Sequence, residues 1–133
     1  MTLHARDFLD WATRPTPDST VFRPEYATLT GQNLDAALVL GRIVDWHLPD
    51  EKGEAKLRVA KQGGWWIADT REAWCAALGI TKARQFDRAL KVLVEQGLVE
   101  KRVFKFRGYP TLHVRLLEDT FLARWRAVNR RGA

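Results

Sequence analysis

The fold is decided by residues 65–116, which read WWIADTREAWCAALGITKARQFDRALKVLVEQGLVEKRVFKFRGYPTLHVRL. A short apolar strand leads into a helix, and the Gly-Ile-Thr turn at residues 79–81 opens a second, longer helix. Two strands of alternating residues follow, joined by the turn chemistry of Arg-Gly-Tyr-Pro at residues 107–110. This order predicts a helix–turn–helix followed by a β-hairpin.

The first of these helices has clear boundary signals. Asp69 and Thr70 are good N-cap residues, because a short side-chain oxygen can accept a hydrogen bond from a free backbone N–H. Gly79 is expected to end the helix by adopting a positive φ, and Thr81 is expected to cap the next helix. Apolar residues recur at helical spacing between these signals: Ala73, Trp74, Ala77 and Leu78.

The second helix is predicted over residues 82–96, and Gly97 ends it. The side expected to be buried is apolar: Phe86, Ala89 or Leu90, Leu93 and Val94. The remaining surface carries long basic and amide side chains: Lys82, Arg84, Gln85, Arg88 and Lys91. Such a face is either simply solvated or enters the major groove of DNA, where these side chains suit base edges and phosphates.

The hairpin is predicted to pair residues 98–106 with residues 111–116. Its candidates for contact with a DNA backbone or minor groove are Lys101, Arg102, Lys105 and Arg107. Strand alternation places the two lysines on one face and Arg102 on the other, so that not all of these side chains can contact one duplex.

Two adjacent tryptophans precede the first helix. Because Trp65 and Trp66 are neighbours on a strand, they are expected to point to opposite faces, so that one lies outside the core as a contact candidate. His113 is expected on the polar side of its strand.

The positive charge of the chain is concentrated in its second part. Residues 1–80 carry nine Lys and Arg against eleven Asp and Glu, whereas residues 81–133 carry thirteen against five. The net charge of +6 therefore belongs to the second helix, the hairpin and the end of the chain. A surface of this kind attracts nucleic acid through its phosphates.

Three short motifs carry a resemblance to a known family. They are Trp-Ile-x-x-Thr-x-x-x-Trp at residues 66–74, Arg-Ala-Leu at 88–90 followed by Leu93, and Gly-Leu-Val at 97–99. Through them the chain resembles the winged helix-turn-helix superfamily, and within it the DNA-binding domains of phage and plasmid replication initiator proteins. The likeness extends over about residues 34–116.

This resemblance implies a sequence-specific double-stranded DNA-binding protein that acts by occupying its site, in replication initiation or in transcription control. The hairpin would be the wing. The binding residues expected at the second helix are Thr81, Lys82, Arg84, Gln85, Arg88 and Lys91. Arg84, Gln85 and Arg88 would read bases, and the two lysines would contact phosphates. Alternatively, the same fold grips a protein, for example as a phage-encoded inhibitor of a host nucleic-acid complex.

The remaining segments are expected to complete one domain over residues 1–133. A short helix at residues 4–13 and an extended arm at 14–33 form the first part, with Tyr26 and Leu29 anchoring the arm. Residues 34–48 predict the central helix, because they are apolar around most of its circumference. The conformation of residues 55–61 stays open between a strand, a helical turn and a flexible insert.

The last segment, residues 117–133, is expected to contain a helix at residues 118–131. Its apolar side has two interpretations: it packs on its own domain, or it pairs with a second subunit, as the resemblance to winged-helix regulators implies. The residues of this possible homodimer contact are Phe121, Leu122 and Trp125.

The composition and the absence of certain motifs predict that the chain has no intrachain disulfide, no metal or cofactor site and no catalytic activity. One cysteine, Cys75, is expected to be a packing residue and excludes an intrachain disulfide. The three histidines lack nearby ligand partners, and no catalytic or phosphate-loop motif is present, so we expect no metal, no cofactor and no enzymatic activity. Without a signal peptide or a membrane-length apolar run, the chain is expected to be cytoplasmic.

Overall fold

The computed structural model describes residues 3–12 and 23–131, which form an α+β structure that is about half helical. Six helices are present in these residues: α1 Arg6–Ala12, α2 Pro24–Leu29, α3 Leu34–His47, α4 Arg71–Leu78, α5 Ala83–Glu95 and α6 Glu118–Arg131. Four strands accompany them: β1 Val59–Lys61, β2 Gly64–Asp69, β3 Val99–Phe106 and β4 Tyr109–Leu116. The predicted α+β class is confirmed.

The four strands form one antiparallel sheet in the order β1-β2-β4-β3. Ile67 lies opposite Val114, and Val99 lies opposite Leu116, so these four side chains share one face. All four belong to the main hydrophobic core, and we call this face the inner face of the sheet.

The central helix, α3, begins where Asn33 caps it. The Asn33 side chain accepts a hydrogen bond from the backbone N–H of Ala36 at 3.0 Å. Most of the circumference of α3 is buried, and α3 packs against α5 and α2. The prediction of a central helix over residues 34–48 is confirmed.

The boundaries of α4 follow the sequence signals, but the start of α5 does not. The Thr70 hydroxyl accepts from the N–H of Ala73 at 3.1 Å, and Gly79 takes a φ of 71° at the other end. The expectation that Thr81 caps α5 is wrong. Lys82 holds the N-cap position without a side-chain hydrogen bond, because the chain stays extended one residue longer.

The hairpin turn is tighter than predicted. Only Arg107 and Gly108 form it, with φ values of 53° and 85°, as in a two-residue turn with both central residues at positive φ. Tyr109 and Pro110 belong to β4, not to the turn. Pro110 is tolerated because it lies beyond the end of the β2–β4 pairing, and alternation directs its missing N–H away from β3.

Residues 24–29 differ from the prediction, and residues 55–61 adopt a conformation that the sequence left open. Residues 24–29 form helix α2 rather than part of an extended arm, since Pro24 stands in the first turn, where its fixed φ suits a helix. Tyr26 and Leu29 are buried anchors as expected, whereas residues 13–22 of the arm lie outside the described residues. In the open segment, Leu57 is buried and residues 59–61 form the edge strand β1.

His47 joins α3 to the sheet from inside the core. Its Nδ1–H donates to the carbonyl of Ile43 at 2.8 Å, and its Nε2 accepts from the backbone N–H of Leu116 at 3.2 Å. Both ring nitrogens are therefore satisfied only in the neutral form. Burial lowers the pKa of His47 from 6.5 to about 4.

We expect His47 to make the protein sensitive to acid. Because the folded pKa lies below the unfolded one, His47 leaves stability unchanged above pH 6.5 and lowers it as the pH falls toward 4, by up to about 3 kcal/mol. Unfolding free energies of the wild type and His47→Gln, measured from pH 7 to 4, should show a weaker pH dependence in the variant. His4→Gln, which removes an exposed histidine, is the control, and identical profiles for all three proteins would contradict this assignment.

The last helix, α6, packs onto its own domain. Phe121 and Trp125 are buried against Phe8 of α1, with ring centroids 5.3 and 5.0 Å away, and Trp125 also lies 5.4 Å from Trp11. The homodimer contact proposed for Phe121, Leu122 and Trp125 is corrected accordingly, because two of its three side chains have almost no accessible surface. The predicted bounds of 118–131 are confirmed.

The outer face of the sheet carries a second, smaller aromatic cluster. Trp66 and Trp65 point to opposite faces, as predicted: Trp66 is 3% exposed, and Trp65 is 43% exposed. Trp66 packs on Phe104 and His113. His113 is fully buried between these rings and does not lie on a polar side, which corrects the prediction.

Candidate nucleic-acid interface

The exposed surface of α5 is the centre of the candidate interface. The residues predicted there are exposed: Thr81, Lys82, Arg84, Gln85, Arg88 and Lys91. Arg84 and Arg88 stand four residues apart and therefore lie one above the other, on the side opposite buried Phe86. Within residues 3–12 and 23–131, neither guanidinium forms an ion pair or a hydrogen bond.

The two carboxylates on α5 itself are paired with other cations. Asp87 pairs with Arg71 of α4 at 3.3 Å, and Glu95 pairs with Lys91 at 3.8 Å. Such exposed pairs are weak and screened by salt, so Lys91 remains able to exchange Glu95 for another anion. The pairing leaves the positive charge of Arg84 and Arg88 without a neutralising neighbour among the described residues.

Arg71 was missed by the sequence reading, although a signal existed. It occupies the first position of α4, where the helix dipole favours acidic residues over basic ones. An arginine there requires a compensating partner, and Asp87 supplies it from the next helix.

A groove separates α5 from the hairpin. Its volume is about 680 Å³, and three cations and two carboxylates line it: Arg71, Lys91, Lys101, Glu72 and Asp87. Lys101 lies on the inner face of the sheet, as its pairing with Val114 shows. By strand alternation, Lys105 shares that face. The two lysines that were predicted to share a face thus lie on the same side of the sheet as α5.

Arg102 belongs to the other side of the hairpin. It lies on the outer face and pairs with Glu100 at 2.9 Å, while Arg115 holds the same carboxylate at 2.6 Å. Arg102 is therefore separated from the α5 surface by the sheet itself. The prediction that Arg102 lies on the face opposite Lys101 and Lys105 is confirmed, and Arg102 is therefore left out of the candidate interface.

Arg107 stands at the hairpin tip. Its guanidinium carbon lies 5.1 Å from the ring centroid of Phe106, and the side chain is exposed. The stacking leaves the guanidinium hydrogen-bond donors free of partners in the described chain, so Arg107 is available at the end of the hairpin.

Comparisons with protein-family models, with curated proteins and with solved structures found no match for this chain. In the described parts of the chain, no helix is long and apolar enough to cross a membrane. The same residues contain no group of three His, Cys, Asp or Glu side chains that could hold a metal ion. The candidate functional surface is the one formed by α5 and the inner face of the hairpin.

Proposed function

We propose that this protein binds double-stranded DNA as a winged helix-turn-helix domain, with α5 in the major groove and the β3–β4 hairpin on the adjacent backbone. The observation that carries the proposal is the unpaired state of Arg84 and Arg88 on the exposed side of α5, where Asp87 and Glu95 are paired with other cations. Unpaired arginines on one side of a helix fit the chemistry of base edges and phosphates.

The order of elements supports this architecture. Helix α4, a short turn and helix α5 lead into a hairpin, and β4 of that hairpin pairs with β2, the strand before α4. The winged-helix arrangement combines a helix–turn–helix with such a hairpin. Helix α5 contains 13 residues and is about 20 Å long, which suits entry into a major groove about 12 Å wide.

The proposed mechanism is occupancy. Phosphate contacts from lysines fix the position of the protein, and contacts from α5 to base edges choose the site. The bound protein then recruits or blocks other machinery, in replication initiation or in transcription control, without catalysing a reaction.

A salt titration tests this proposal. Four lysines flank or face α5, namely Lys82, Lys91, Lys101 and Lys105, and one phosphate contact from each gives a slope of about −3.6 for log K against log salt. Duplex DNA of mixed sequence is the first probe, with a single strand of the same length for comparison. A slope near zero, or no duplex binding at low salt, would refute the proposal.

The contribution of the hairpin can be measured separately. Replacing Lys101 and Lys105 together by Ala should weaken binding to all duplexes alike and make the salt slope about two units shallower, because phosphate contacts carry no sequence information. Arg102→Ala is the control, since its side chain lies on the outer face beside Glu100. A loss confined to particular sequences would instead mean that the hairpin reads bases.

A second candidate function rests on two exposed apolar side chains of the hairpin. Val103, on the inner face, is 68% exposed, and Tyr109, next to the tip on the outer face, is 74% exposed, so that a partner clasping the end of the hairpin could contact both. Under this alternative, the basic surface meets an acidic protein surface, for example in a host nucleic-acid complex. Lack of duplex affinity, together with loss of a protein partner in Val103→Ser and Tyr109→Ser variants, would favour it.

A further inference from the structure

We infer that the DNA site of this protein contains two guanines two base-pair steps apart, read by Arg84 and Arg88 in the major groove. The inference rests on the proposed function and specifies the chemistry of its target. It follows from the spacing of the two arginines, from their freedom from other partners and from the position of the lysines around them.

The spacing sets the distance between the two contacts. Residues four apart in an α-helix are displaced by about 6 Å along the axis and lie on the same side. Successive bases of a strand are about 3.4 Å apart, so two steps span about 7 Å. A helix lying along the groove therefore presents Arg84 and Arg88 to base pairs separated by one intervening pair.

The chemistry of the side chain selects guanine. An arginine fork donates two parallel hydrogen bonds to O6 and N7 of guanine, whereas the other bases do not offer two acceptors on their major-groove edge. A lysine supplies the same charge as a point without the planar fork. The line of α5 that holds Arg84 and Arg88 continues to Lys91, and its two positions nearest the start of the helix carry arginine.

Arg71 occupies the carboxylate that could otherwise pair with Arg84. Asp87 stands three residues after Arg84 and four residues before Lys91, so either cation could capture its carboxylate within the helix. Instead, Asp87 pairs with Arg71 of α4 at 3.3 Å. Arg71 is therefore a positioning residue, which acts on the base contacts through Asp87.

The lysines occupy places suited to the backbone. Lys91 and Lys101 line the groove between α5 and the hairpin, and Lys105 shares the face of Lys101. Lys91 lies one turn further along the same line of α5 as Arg88, but it lines the groove beside the hairpin, whereas Arg84 and Arg88 do not. This division assigns phosphates to the lysines and bases to the two arginines.

The experiment selects duplexes from a library with a randomised core, using the full chain, and then measures affinities for the best sequence. Selection should enrich two guanines with one base between them. Replacing either guanine by 7-deazaguanine removes the N7 acceptor and should lower the affinity about tenfold or more. Arg84→Lys and Arg88→Lys should each abolish the preference for one guanine, because lysine lacks the planar fork that donates two parallel hydrogen bonds.

Control variants distinguish guanine recognition by Arg84 and Arg88 from a general effect of replacing an arginine. Arg102→Lys makes the same chemical change on the outer face and should leave both preferences intact. Arg71→Gln should weaken the preference for the guanine that Arg84 reads, and adding Asp87→Asn should restore it.

Each alternative outcome has a definite meaning. Duplex binding with no guanine preference, or with a preference that survives both lysine substitutions, overturns the inference and leaves the proposed DNA-binding function standing. Lack of duplex binding at low salt overturns both. Loss of all duplex binding in the lysine variants, with native stability, shows that the two arginines support binding irrespective of sequence, and also overturns the inference.

Discussion

Replacing Arg84 and Arg88 together by Ala is expected to lower the affinity for the selected duplex by about 2–6 kcal/mol, and to remove most of the sequence preference. Each arginine contributes about 1–3 kcal/mol when it reads a base through two hydrogen bonds. Neither side chain has a partner in the described chain, so the free energy of unfolding should change by less than about 0.5 kcal/mol. The measurement is a pair of binding curves, on the selected and on an unselected duplex.

The matched control removes two positive charges elsewhere. The control variant combines Arg102→Ala, on the outer face of the sheet, with Arg130→Ala, near the end of α6. This variant keeps the net charge of the test variant and should retain sequence preference. Equal losses of affinity in the two double variants would show that net charge governs binding. They would contradict the assignment of DNA recognition to α5.

Replacing Trp125 by Ala is expected to lower the free energy of unfolding by about 3–5 kcal/mol. The indole is 1% exposed and packs edge-on against Phe8, with Trp11 beside it, so its removal leaves a large cavity between α1 and α6. The protein should unfold with a midpoint that does not depend on its concentration, because this packing lies within one chain.

Trp125→Phe distinguishes the loss of buried volume from the loss of the indole N–H at the same position. The indole Nε1 is buried and has no hydrogen-bond partner among the described residues, so phenylalanine removes an unsatisfied donor while filling most of the space. We expect a loss of roughly 1–2 kcal/mol. A Trp125→Ala variant that kept its stability and only lost self-association would instead support a dimer through α6.

Local signals in the sequence predicted most of the elements. Thr70 and Gly79 bound α4 as expected, and the amphipathic pattern of residues 82–96 places α5 to within a residue at each end. These features depend on neighbouring residues and on hydrogen bonds within one turn, so a single sequence contains them. The start of α5 was misplaced because Lys82, which is a poor N-cap, holds the position next to a better one, Thr81.

Features that depend on pairing between distant segments could not be predicted in the same way. The cluster of Trp66, Phe104 and His113 exists only once the register of β2, β4 and β3 is fixed. Similarly, nothing near Phe121 in the sequence indicates that Phe8 covers it, since more than a hundred residues separate them. Pairing of α6 with a second subunit stayed open in the sequence because nothing there shows which residues cover Phe121.

The candidate interface was predicted in outline but not in its pairing. The exposed positions of α5 and the shared face of Lys101 and Lys105 follow from helical and strand periods. The ion pairs of Asp87 with Arg71 and of Arg102 with Glu100 depend on tertiary geometry, and they decide which cations remain free.

The most direct test of the central claim is a map of backbone amide chemical shifts during titration of the labelled protein with duplex DNA. We expect the shifts to change at residues 81–91, at Arg71 and at Lys101 to Lys105 of the hairpin. The chemical shifts of amides in α1, in α6 and on the outer face around Trp66 should not change. Changes centred on α6 or on the outer face, with α5 unaffected, would contradict the claim that α5 and the inner face of the hairpin form the DNA-binding surface.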